Sequence, residues 1–172
     1  DDVVAAMAAR TDARVVLVGE SAGAQVRASD IRLDDAGHPS FTVTTSQGSA
    51  AVTLARIVGR HTGGNPLAAL AVAQACGIPQ AQAVATLSTA TPGSRWRMEV
   101  STTAAGVTVV NDAYNANPDS MRAALDALAA MATTGRRVAV LGSMLELGEE
   151  SAAQHAEIGR AVVERGVDRL VV

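Results

Sequence analysis

The chain is 172 residues long, 48% hydrophobic and 18% charged, enough to bury one core or two small ones. A net charge of −3 argues against an electrostatic groove for nucleic acid and a polybasic membrane patch; the single cysteine, Cys76, excludes an internal disulfide and fits a reducing compartment; no apolar run approaches the roughly 20 residues of a membrane span. All 14 basic residues are arginines, so the chain offers no Walker A lysine, no Schiff base and no lysine general base, and any phosphate chemistry must borrow its lysine from another segment or chain.

A helical stretch, Val3–Ala8, precedes Arg14–Gly19, a short apolar run closed by glycine that predicts a buried strand. Val26–Leu33, Phe41–Thr45 and Ala51–Ile57 are strand-like, separated by the turn-forming Asp34–Gly37 and Ser46–Gly48. From Pro66 the apolar period becomes helical through Leu67, Leu70, Ala71 and Gln74. This predicts a helix with Asn65 at its N-cap, Pro66 in its first position and Gly77 just past its end. A second helix runs from Pro79 to about Leu87, and Thr89–Ser94 reads as a linker.

Beyond the linker, Val107–Val110 reads as a strand, Asn111–Asn117 as a polar loop, and Pro118–Met131 as a helix with an apolar face of Met121, Leu125 and Leu128. Arg137–Leu141 is the next strand and Ser143–Glu149 the next loop. Ser151–Glu164 is a helix closed by Gly166, and Val167–Val172 is a third strand. That βαβαβ order implies a parallel sheet with right-handed crossovers. The fold class is therefore α/β: a mixed-sheet piece over residues 1–99, then the start of a Rossmann-like domain over 100–172. A chain that opens at Asp1 before a helix and stops at Val172 inside a strand reads as a piece of a larger protein.

In open α/β sheets ligands bind beyond the carboxyl ends of the strands, where the polar cluster Asn111–Asn117 lies. Asn117 can cap the helix that Pro118 starts, turning free N–H groups and the positive dipole end toward the same crevice. Asp112 suits a ribose hydroxyl pair; the plain alternative is a well-capped loop. Arg97 can reach a phosphate as a planar fork, or be a surface arginine stacked on Trp96. His61 and Asn65 sit in a glycine-rich segment that allows close backbone approach to a ligand, although a cap already accounts for Asn65. His155 shares a helical face with Ile158 and Val162 and reads as a packed core histidine. The scattered histidines and the cysteine make no metal motif, and no nucleophile elbow is present.

Asn111-Asp112-Ala113-Tyr114-Asn115-Ala116-Asn117-Pro118-Asp119-Ser120-Met121, with Val140–Gly148 and His155, closely resembles the Mur ligase family, and the resemblance runs over essentially the whole chain. It implies that residues 1–99 are the C-terminal half of a central ATPase domain and 100–172 the N-terminal half of a Rossmann-like C-terminal domain. The implied activity is ATP-dependent peptide-bond formation in peptidoglycan-precursor synthesis, joining D-alanyl-D-alanine to UDP-N-acetylmuramoyl-tripeptide through an acyl phosphate. ATP and Mg2+ are the implied cofactors, the bacterial cytoplasm the implied location, and a monomer the implied full-length state. By position, the resemblance assigns Asn65 to adenine, Arg97 to the ATP phosphates and Asp112 to the nucleotide on domain closure. His61, Tyr114, Asn115 and Asn117 are assigned to the substrate cleft. Thr62 and Ser143 depart from the family's asparagine and acidic residue. The phosphate-loop lysine and the metal ligands are expected upstream of Asp1, so the chain alone is expected to be an inactive fragment. The alternatives are a non-catalytic nucleotide-binding or interaction module derived from the family, and a folate-type ligase, against which the tyrosine-containing loop speaks.

Overall fold

The computed structural model describes residues 2–59, 64–91 and 93–172. A short helix α1 (Asp2–Ala6) runs into a 3-10 turn (Met7–Arg10). Four strands then form one sheet in the order β1-β2-β3-β4: β1 (Val18–Gly19), β2 (Val26–Leu33), β3 (Pro39–Thr45) and β4 (Gly48–Thr53). β1 is parallel to β2 and the other pairs are antiparallel, with Ala28 opposite Val43 and Phe41 opposite Val52. The side-chain period of two puts Val26, Ala28, Phe41, Val43 and Val52 on the buried face. A register shift between Ser29 and Arg32, with Asp30 left-handed at φ +55°, returns Ile31 to the core side.

Helices α2 (Gly64–Ala75) and α3 (Gln80–Ser88) cover that face with Leu67, Leu70 and Ala83. Helix α3 starts without a side-chain cap; instead the Gln80 N–H donates to Gln47 Oε1 at 2.8 Å, which anchors the helix to the β3–β4 turn. The buried Gln80 side chain accepts from the Thr45 hydroxyl and donates to the Gly48 carbonyl at 3.3 Å.

The second half contains β5 (Glu99–Thr102), β6 (Thr108–Asn111), α4 (Pro118–Ala130), β7 (Val138–Val140), α5 (Ser151–Glu164) and β8 (Arg169–Val171). β7 and β8 are parallel around α5, as the alternating order requires. β6 pairs with β5 as an antiparallel hairpin instead of joining β7, because Glu99–Thr102, a segment without apolar alternation, supplies a nearer partner. A core of Leu125, Ala139, Met144, Ile158, Ala161 and Val162 holds α4 and α5 against this sheet. Ion pairs Arg165–Asp126 at 2.6 Å and Arg122–Glu157 at 2.7 Å join the two helices, and the Asp126 hydrogen bond pushes the Arg165 guanidinium above its ordinary value. Arg137 closes α4 by donating to the carbonyls of Leu128, Ala129 and Met131.

Three further expectations change. Arg14–Gly19 contributes only Val18–Gly19 to the sheet, and Val15, Val16 and Leu17 ahead of it stay 36–37% exposed instead of forming a buried strand. The fourth strand runs over Gly48–Thr53, earlier than Ala51–Ile57, since Leu54 already leads into a turn. Asn65 is not an N-cap: α2 begins at Gly64, so Asn65 and Pro66 lie inside its first turn.

The halves meet where Val58 of the first packs on Met98 and Ala127 of the second. The β2–β3 turn docks beside the end of α4, with the Ala132 N–H donating to the Asp35 carbonyl at 3.0 Å. Gly37 is needed there: it adopts φ +83°, and a Cβ would stand 3.2 Å from Val58 and 3.4 Å from Met131. Within the turn, burial pushes the Asp34 carboxyl up, but hydrogen bonds from the His38 N–H, the His38 ring and the Ala36 N–H more than reverse this and leave it below its ordinary value.

Candidate functional site

The residues that bridge linker and polar loop form one braced unit. Asp112, half-buried at the end of β6, accepts the Met98 N–H at 2.9 Å. The Tyr114 N–H donates to the Trp96 carbonyl at 3.1 Å. These bonds hold Arg97 between two left-handed residues, Trp96 at φ +61° and Met98 at φ +47°. Neither is glycine, and each such conformation costs about 1–2 kcal/mol, so the surrounding bonds must impose it. Buried Met98 anchors the turn in the cluster joining the halves.

Arg97 does not stack on Trp96. Its guanidinium lies over the Tyr114 ring at 4.0 Å from the centroid, while Arg95 takes the position over Trp96 at 5.6 Å. Arg97 is exposed and forms no ion pair with a described residue.

The asparagines of the loop spend their carbonyl oxygens locally. Asn111 accepts from the Ala113 N–H at 3.2 Å and Asn115 from the Ala116 N–H at 2.9 Å. Asn117 is the N-cap of α4, as its sequence position implies. It accepts the Ser120 N–H at 2.8 Å and Ser120 Oγ returns the bond to the Asn117 N–H at 3.0 Å, a reciprocal capping box ahead of Pro118. Asn117→Ala is expected to lose about 1 kcal/mol of stability and Asn117→Asp to retain most of it, read as the shift in urea midpoint at constant slope.

His155 is more than a packed core residue. Its Nε2 accepts the Met144 N–H at 3.0 Å and its Nδ1–H donates to the Ser151 carbonyl at 2.8 Å, so both ring nitrogens are used in the neutral form. This pins the loop after β7 to α5. Met144 and Ala116 pack on the same core, which sets that loop beside the one after β6. Sequence reasoning missed this role; the separation of four residues between Ser151 and His155 on one helix was the available signal.

A cleft of about 520 Å3 lies between the halves, lined by Gly19 at the end of β1 and Glu20 just after it, Gly64 and Leu67 of α2, and Ala123 and Asp126 of α4. That volume is within the range of small-molecule sites. Asn65 adjoins it next to Gly64; its side chain is exposed and makes no hydrogen bond to a described residue. The structure thus brings Arg97, Asp112 and Tyr114 together, keeps Asn115 and Asn117 on the same loop, and leaves Asn65 apart, on the first half. His61 and Thr62 lie outside the described residues. Ser143 lies in the loop after β7 that His155 fastens. Among the described residues no group of three His, Cys, Asp or Glu could hold a metal ion, and no helix is long and apolar enough to cross a membrane.

Residues 96–172 match the family described as Mur ligase, glutamate ligase domain. Over its whole length the chain is 49% identical to the UDP-N-acetylmuramoyl-tripeptide–D-alanyl-D-alanine ligase of Mycobacterium tuberculosis, of which it covers 34%. Among solved structures it is similar to MurF from Acinetobacter baumannii, with a TM-score of 0.86 and 33% identity over 99% of this chain and 36% of that one. The fold is shared with MurF ligase from Thermotoga maritima in complex with ADP, with a TM-score of 0.73 and 22% identity over 90% of this chain and 39% of that one. The chain spans about a third of the length of the curated relatives it matches.

Proposed function

The chain belongs to the Mur ligase family, and from that premise we propose that it is the middle portion of an ATP-dependent ligase that adds D-alanyl-D-alanine to UDP-N-acetylmuramoyl-tripeptide in peptidoglycan-precursor synthesis. Residues 1–99 are its share of the central nucleotide-binding domain and 100–172 its share of the Rossmann-like C-terminal domain. The reading is supported by the mycobacterial relative, which carries that activity in its name, and by the Thermotoga structure, which holds ADP. The observation that carries it is the braced Arg97–Asp112–Tyr114 unit beside the junction of the halves.

An amine does not displace oxide from a carboxylate, so the tripeptide carboxylate must first acquire a leaving group. Transfer of the ATP γ-phosphoryl group gives an acyl phosphate and ADP. The D-alanyl-D-alanine amine adds to its carbonyl carbon, and the tetrahedral intermediate collapses with loss of phosphate. Arg97 offers in-plane N–H donors to the phosphate oxygens, where charge-assisted bonds are strong. Asp112 keeps Oδ2 for a ribose hydroxyl while Oδ1 holds Met98, so it binds through one oxygen. Asn65, whose side chain bonds to no described residue, presents its amide to the adenine edge, and Tyr114, Asn115 and Asn117 line the substrate side of the closed cleft, with His61 belonging to the same assignment. Mg2+ would neutralise the phosphates, but the described residues offer it no ligand cluster. Its ligands and the phosphate-loop lysine fall to the part of the ligase outside this chain. The ligase is a monomer of the bacterial cytoplasm.

Phosphate release tests this. The complete ligase should release phosphate only when ATP, UDP-N-acetylmuramoyl-tripeptide and D-alanyl-D-alanine are all present, and the 172-residue chain, which has no lysine, should release none. Turnover by the chain alone, or release by the complete protein that ignores D-alanyl-D-alanine, would refute the reading.

A further inference from the structure

We infer that Tyr114 is a positioning residue: its ring holds the Arg97 guanidinium by its flat face so that the in-plane N–H donors stay free for a nucleotide phosphate. The inference rests on the proposed function for what Arg97 binds, and goes beyond it in assigning how Arg97 is held.

A guanidinium can be held in two ways. A carboxylate partner grips its edge and uses the same N–H groups that a phosphate needs; an aromatic ring takes its face and uses none of them. Arg97 is held in the second way, 4.0 Å from the Tyr114 centroid, with no carboxylate paired to it among the described residues. By contrast Arg122 is gripped at its edge by Asp119 and Glu157, and Arg165 by Asp126. Glu99 is near enough in sequence to compete for Arg97, but it accepts the Trp96 N–H at 3.3 Å.

The backbone enforces the stack. Arg97 and Tyr114 are far apart in the chain, yet the Trp96 carbonyl takes the Tyr114 N–H and Asp112 takes the Met98 N–H, one bond on each side of Arg97. The left-handed residues flanking Arg97 turn the chain sharply there. Arg97 is therefore held as one body with the loop after β6.

The test is steady-state kinetics of the complete ligase with ATP varied. Tyr114→Leu, which removes the ring, is expected to raise the KM for ATP by about three- to thirty-fold with a smaller change in kcat, and Tyr114→Phe, which keeps the ring, to restore most of the loss. Because the pair acts as a unit, Arg97→Ala with Tyr114→Leu should be little worse than Arg97→Ala alone. Tyr114 is 57% exposed, so equal melting temperatures should confirm that the variants fold. If Arg97→Ala is damaging but Tyr114→Leu is silent, or if the two effects simply add, the positioning role is wrong and the proposed function stands. If Tyr114→Phe is as poor as Tyr114→Leu, the hydroxyl and not the ring does the work, which also overturns it. A silent Arg97→Ala would remove both the site assignment and the inference.

Discussion

Asp112→Ala is expected to lower kcat/KM for ATP in the complete ligase by tens-fold or more, corresponding to about 2–4 kcal/mol of lost charge-assisted contact. Two losses combine. The Met98 N–H, at a residue only 7% exposed, is left without its acceptor, which frees the turn that presents Arg97. The carboxylate oxygen that faces the proposed ribose also disappears. Asp112→Asn separates the two, because its amide oxygen can still accept from Met98 while the charge is gone. An Asn variant close to wild type would assign the effect to the brace; one as poor as Ala would assign it to the charge. Unchanged kinetics for Asp112→Ala would sink the assignment of Asp112 to the site.

The largest stability effect is expected in the first core. Leu70 is 1% exposed and packs among the sheet valines, Phe41 and Leu67. Leu70→Ala removes buried methyl groups and leaves a void that the sheet and α3 can only partly fill, for a loss of about 2–5 kcal/mol. A domain with about 5–15 kcal/mol in hand loses a large fraction of its stability to that one change. Val163→Ala is the control, since Val163 sits on α5 with 77% exposure and should shift stability by under about 0.5 kcal/mol. Urea unfolding of the two variants measures the contrast. Similar midpoints would mean that α2 is not the cover of this core.

The candidate site was legible in its residues but not in its geometry. Asn117 before Pro118 announced a capped helix, and the capping box with Ser120 bears it out because those contacts span only three residues. Asn65 before Pro66 announced the same and was misleading. Helix α2 starts one residue before Asn65, so the local cap pattern gave way to the packing of Pro66, Leu67 and Leu70 on the sheet. For Arg97 the neighbouring Trp96 looked like the stacking partner, yet Tyr114, seventeen positions along, takes that place once β5 and β6 pair. The β5 segment itself gave little warning, since all four of its residues are exposed and no apolar alternation marks it.

By itself the sequence determined the order of helices and strands apart from β5, the α4 cap, and the absence of any lysine chemistry. Those follow from period, local hydrogen bonding and composition, which need no distant partner. Tertiary structure alone decided that β6 turns back to β5, that Val15–Leu17 stay outside the sheet and only partly covered, that His155 fastens the Met144 loop, and that Arg97 rests on Tyr114. The physical reason is the same in each case. An apolar period says which face seeks cover and a polar side chain says which bonds it can make, but which partner supplies them depends on residues brought close only when the chain folds.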